Sequence, residues 1–136
     1  MLTNDELDAL TECRAACLAY EKAKENFQAI AADFGARGIQ TDKVGVKSSD
    51  RQTLDSMIIR RDKAREIMEK AQERYALAMK IVDGITAKMQ AEFEFELCNF
   101  VWLYYQQAFS IRQCAEMLGK TRQTMYNYKN RIFTGV

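Results

Sequence analysis

Apolar side chains recur along this chain at helical spacing, in three stretches of different character. The first passes from Leu10 through Cys13, Cys17, Tyr20, Phe27 and Ala31 to Phe34. Its steps of three and four residues are interrupted only at Lys24, which predicts a helix from about Asn4 to Phe34 with one stripe turned inward. Thr3-Asn4-Asp5-Glu6 opens it as a capping box, the Thr3 hydroxyl accepting from the Glu6 amide while the Glu6 carboxylate reaches back. Gly35 is expected to end the helix. Residues 35–49, with Gly35, Gly38 and Gly45 and no sustained periodicity, read as a linker.

The second stretch is longer and more regular. Leu54, Met57, Arg61, Ala64, Met68, Ala71, Tyr75, Ala78, Val82, Ile85 and Met89 alternate steps of three and four, with Arg61 the one charged member. A helix that starts at the capping box Ser49-Asp50-Arg51-Gln52 therefore continues to about Met89. A seam over residues 54–89 is roughly 54 Å long at 1.5 Å per residue, and it needs a partner helix along its length. The first helix can fold back antiparallel to provide one, and a second copy can provide another. Homodimerisation through residues 50–90 is the expectation, with an intrachain hairpin as the alternative.

The third stretch turns aromatic. Phe93, Leu97, Phe100 and Tyr104 share a face that Val101 and Tyr105 extend. Aromatics at helical spacing, Trp102 and the tyrosines included, read as core before they read as stacking platforms. Ser110-Ile111-Arg112-Gln113 is another capping box, and Ile111, Cys114, Ala115 and Leu118 form the inward face of a short helix. Gly119 follows four residues after Ala115. That spacing suits two closely crossed helices, the small side chain permitting approach and the glycine a positive φ in the turn. Thr121 then caps a last helix whose buried face is Met125, Tyr128 and Ile132.

The opposite face of that last helix is suited to recognition and not to packing. Arg122, Gln123, Thr124, Tyr126 and Asn127 stand on its first turns and carry the donors and acceptors that pair with base edges in a major groove. Ser110, Arg112, Gln113, Lys120, Lys129 and Arg131 are better spaced to meet phosphates. The net charge of +1 hides an asymmetry: residues 109–136 hold five basic side chains and one acidic, a net of +4, against fifteen and eighteen over residues 1–108, a net of −3. A basic end on an acidic body suits a polyanion such as double-stranded DNA.

Composition sets the remaining bounds. No proline, six glycines and many strong helix formers predict an all-α chain. The expected architecture is a long helical hairpin or coiled-coil arm over residues 1–90, followed by a helix-turn-helix unit over 91–136. Cys13 and Cys17 lie far from Cys98 and Cys114 and the chain has no histidine, so the cysteines read as buried thiols; no metal site and no cofactor are expected. No nucleophile–base pair or paired-carboxylate arrangement suggests catalysis, and no enzyme is expected. Without an apolar run near eighteen residues or a signal-like start, the chain is expected in the cytoplasm of a bacterial or phage-infected cell, with no membrane contact.

At Tyr104 to Tyr126 the chain resembles the helix-turn-helix of sigma-70 region 4-like proteins, in which an aromatic-containing helix precedes a Ser-initiated helix, an Ala-x-x-x-Gly turn and a Thr-Arg start. The remainder is similar to small phage and prophage regulators of the ArpU/RinA type, which place an Asp-Lys-Val-Gly-like stretch, here Asp42 to Gly45, before a long charged helix. The resemblance implies a sequence-specific transcription regulator of phage genes, with RNA polymerase as a partner. Two other classes compete with it. A terminase-like small subunit would mark phage DNA for packaging with the same motif, and a coiled-coil adaptor would not bind DNA at all.

Overall fold

The computed structural model describes the backbone of residues 2–44 and 48–134 and the side chains of residues 2–33 and 54–133. The described residues form an all-α chain without strands. Five α-helices follow one another: α1 (Asn4–Val44), α2 (Ser48–Glu92), α3 (Phe95–Val101), α4 (Ile111–Leu118) and α5 (Arg122–Thr134), with a π-helical turn (Trp102–Gln106) continuing α3.

Helix α1 begins as its sequence requires. The Glu6 amide donates to Thr3 Oγ1 at 3.2 Å, and the Thr3 amide donates to Glu6 Oε1 at 3.0 Å. It does not end at Gly35, however, and continues to Val44. An isolated glycine costs a helix only about 1 kcal/mol, and no proline adds a steric stop, so the helix-forming residues around Gly35 and Gly38 prevail. Of the expected linker over 35–49, residues 35–44 and 48–49 are helical, and residues 45–47 lie outside the described residues. Helix α2 starts at Ser48, one residue ahead of the expected cap at Ser49, whose side chain also lies outside the described ones.

The chain divides into two compact units, one of residues 1–18 with 74–136 and one of residues 19–73. This division differs from the expected one at residue 90, because the aromatic segment packs onto the two ends of the long helices and shares their core. In the first unit Leu2, Leu7, Leu10, Cys13 and Ala16 of the amino-terminal segment are buried with Ala78, Val82, Ile85 and Met89 of α2. Leu97, Phe100, Val101, Leu103 and Tyr105 join the same core, as do Cys114, Ala115, Met125, Tyr128 and Ile132. The two long helices run antiparallel there. Glu6 pairs with Lys88, Glu12 with Arg74 at 2.6 Å, and Cys13 Sγ lies 3.7 Å from Met79 Sδ. In this unit the periodic seam of α2 is therefore covered by its own chain.

The second unit is a simpler helix pair. Ala64 is buried, and Leu54, Met57, Arg61, Met68 and Ala71 are half-buried along the predicted seam. Phe27 and Ala31 are half-buried on α1, and the Arg65 guanidinium lies 5.5 Å from the centre of the Phe27 ring. Among the described residues no helix is long and apolar enough to cross a membrane.

Candidate nucleic-acid interface

The helical pair α4–α5 is built by local chemistry at each end. Ser110, in extended conformation, accepts from the Gln113 amide at 3.1 Å while Gln113 Oε1 accepts from the Ser110 amide at 3.0 Å. Gly119 ends α4 at φ +66°, the left-handed conformation that a glycine adopts without a steric penalty. The Lys120 amide then donates to the Ala115 carbonyl at 3.0 Å, closing the helix end. Thr121 Oγ1 accepts from the Thr124 amide at 3.2 Å and starts α5. Buried Ala115 and Cys114 on α4 and Met125, Tyr128 and Ile132 on α5 hold the pair on α3.

Beneath the pair, the aromatic segment departs from the regular helix its sequence suggests. Helix α2 stops at Glu92, Glu94 is extended, and α3 starts afresh at Phe95. After Val101 the backbone widens: the Gln107 amide donates to the Trp102 carbonyl and the Phe109 amide to the Leu103 carbonyl, both at 3.0 Å. Ala108 takes φ +58°. This π-helical turn changes the phase of the faces. Leu103, Tyr105 and Gln106 are buried, whereas Trp102 is about half exposed at 49% and Phe95 stands out at 79%. The expectation that Trp102 belongs to the core is corrected accordingly.

Hydrogen bonds tie this turn and the loop after it to the long helices. Arg14 Nη1 donates to the carbonyls of Tyr104 (2.6 Å) and Phe109 (2.9 Å), with its guanidinium 3.9 Å from the centre of the Tyr104 ring. Tyr75 donates its hydroxyl proton to the Gln106 carbonyl at 2.6 Å, and buried Gln106 donates through Nε2 to Asp83 Oδ1 at 3.0 Å. Arg14 therefore gives a charged donor to the Tyr104 carbonyl in the widened turn and to the Phe109 carbonyl in the loop that follows it. None of these partners is close in sequence, so no local pattern announces them.

The residues expected to read bases come together. Arg122, Gln123, Tyr126 and Asn127 are exposed on the first two turns of α5, and Gln123 Nε2 donates to Asn127 Oδ1 at 3.1 Å. Thr124 is half-buried, with its hydroxyl 2.9 Å from that of Thr121. No acidic residue stands in the first turn of α5, so its free amides keep their attraction for anions. Asn130, not among the expected site residues, is exposed on the same helix.

The expected phosphate-binding side chains are more scattered. Ser110 and Gln113 cap α4 with their own side chains. Arg112 pairs with Glu116 at 3.3 Å, one turn along the same helix. Lys120 lies 3.6 Å from Glu96, and Arg131 pairs with Glu94. Lys129 is half-buried, its ammonium 5.4 Å from the centre of the Tyr104 ring. Glu96 also accepts from the Tyr128 hydroxyl at 3.0 Å, and burial together with that carboxylate raises the Tyr128 phenol pKa. No sequence pattern places the carboxylates of Glu94 and Glu96 on this surface, although both stand at the start of the aromatic helix. No protein-family model, characterised protein or solved structure matches the chain.

Proposed function

We propose that the chain is a sequence-specific DNA-binding transcription regulator whose α4–α5 pair acts as a helix-turn-helix, with α5 entering the major groove. The observation that supports this reading best is the cluster of Arg122, Gln123, Tyr126 and Asn127, exposed together on the first turns of a helix that has no acidic residue at its start. An arginine reads guanine and an asparagine or glutamine reads adenine, so this set offers base-edge chemistry rather than charge alone. The net of +4 over residues 109–136 supplies the accompanying attraction for phosphates. On this reading the protein acts as the ArpU/RinA-type phage regulators it resembles.

Dimerisation belongs to the same proposal, but through a different surface from the seam. Ile58, Ile59 and Ile67 in one unit and Leu77 and Ile81 in the other remain exposed on α2, outside the stripe that α1 covers. Sedimentation of Ile67→Glu beside the parent chain tests this: a dimer that becomes a monomer supports it, and an unchanged mass refutes it. Selection of bound sequences from random duplex DNA at about physiological ionic strength tests the function itself. A defined motif, relaxed at one base pair by Arg122→Ala and at another by Asn127→Ala at a cost of about 1–3 kcal/mol each, is the expected outcome. No enrichment, with no binding at low salt, would instead favour the adaptor.

A further inference from the structure

Away from the basic face, the first unit carries a cleft of about 600 Å³ between the end of α2 and the outer side of α3 with its π-helical turn. Phe93, Phe95 and Trp102 supply its aromatic wall and Gln90, Gln106 and Asp83 its polar one. Asp83 is the one charged side chain on the lining, and no basic side chain faces it there. Gln106 donates to Asp83 Oδ1, which orients the carboxylate. Residues 83–106 hold four acidic side chains against one lysine, a net of −3, opposite in sign to the segment that follows. Lys88, that lysine, pairs with Glu6.

We infer that this cleft is a docking site for a partner protein that presents an arginine flanked by apolar side chains. Charge and shape act together here. A carboxylate beside exposed aromatic faces attracts a cation, and a planar guanidinium both stacks on rings and donates to a carboxylate. Phe95, at 79% exposure, and Trp102, at 49%, leave apolar area for the flanking side chains. DNA does not suit the cleft, because its only charge is negative and it shares no residue with the expected base-reading or phosphate-binding set. The inference therefore stands apart from the DNA reading and survives or fails without it.

Trp102 is the sole tryptophan, so its fluorescence reports on the cleft directly. Titrating the full chain with a capped Ala-Leu-Arg-Leu-Ala peptide is expected to give a saturable change in that emission. The glutamine analogue should bind about tenfold more weakly, as should the arginine peptide toward Asp83→Asn, through loss of the charge-assisted contact. Phe95→Ala should weaken binding with no change in helical circular dichroism, since its side chain is largely exposed and its removal does not threaten folding. Equal responses to the two peptides, indifference to Asp83→Asn or Phe95→Ala, or no saturable response would overturn the inference. So would arginine amide binding as tightly as the peptide, or duplex DNA shifting the emission as strongly.

Discussion

Two glycines on this chain have opposite expectations because their backbones differ. Gly119 sits at φ +66° and Gly84 lies within α2, yet a β-carbon would meet no atom within 4 Å at either position. Space is therefore not the issue, and backbone conformation decides. Gly119→Ala should lower stability by about 1 kcal/mol, the left-handed penalty less the reduced freedom of the unfolded chain. Gly84→Ala should raise it by about 0.5–1 kcal/mol through helix propensity. Urea denaturation of both variants checks the pair, and shifts of the same sign would contradict the assigned turn. Cys13 makes a further residue-scale case. Burial, followed by the neighbouring Cys17, Asp83 and Glu12, pushes its thiol up to about 11 from an ordinary value of 9.0. A thiol that holds its proton more tightly when folded contributes stability below the unfolded pKa, and that contribution falls as pH rises from about 9 to 11. Cys13 should accordingly resist alkylation at pH 8 until denaturant is added, as mass spectrometry of the labelled chain would show; rapid native labelling would refute its burial.

At the scale of elements, the start of α3 with its cap Glu94 meets the α4–α5 turn and α5 through charges that the sequence shows but does not pair. With Arg112 paired to Glu116 within α4, three of the six side chains expected to meet phosphates are held by carboxylates; in the other two pairs Glu94 engages Arg131 and Glu96 engages Lys120. All four are partly exposed, and such pairs contribute at most about 1 kcal/mol each to folding. Their effect on DNA affinity should be larger than on stability, because releasing two cations adds to the counterions displaced on binding. The double variant Glu94→Gln/Glu96→Gln should bind duplex DNA about tenfold more tightly at low salt and steepen the salt slope by about one to two. Unchanged affinity and slope in a salt titration would mean that Lys120 and Arg131 do not meet phosphates. What was legible here follows the range of the interactions. The caps at Thr3, Ser110 and Thr121 and the turn at Gly119 are set within four residues, and each stands where the sequence puts it. The π-helical turn is contacted by Arg14, about ninety residues before its partners Tyr104 and Phe109, which no local pattern announces, and Trp102, read as core for its aromatic character, is half exposed.

The molecule as a whole is divided by its core and not by its composition. A boundary near residue 90 follows from the change to aromatic residues, but Leu97, Phe100, Val101, Leu103 and Tyr105 are buried together with Leu7, Leu10, Cys13, Val82 and Met89. A fragment of residues 91–136 would expose that shared surface and lose the Arg14 and Tyr75 contacts to the π-helical turn. Burial of this area at about 25 cal/mol per Å² is the main term holding so small a piece together, so the fragment should lack a cooperative thermal transition. Residues 1–18 and 74–136 contain the whole of that core, and within them α1 and α2 already run antiparallel, with Glu12 paired to Arg74 beside the point of division. Joining Leu18 to Arg74 by a short flexible loop should therefore give a protein that melts cooperatively and keeps the surface of α5 proposed to bind DNA. Arg14→Met in the same background should lose about 2 kcal/mol, since the Tyr104 carbonyl in the widened turn and the Phe109 carbonyl after it lose a charged donor. Scanning calorimetry of the three proteins separates the possibilities: a cooperative transition in the 91–136 fragment, or none in the joined chain, would move the boundary back toward residue 90.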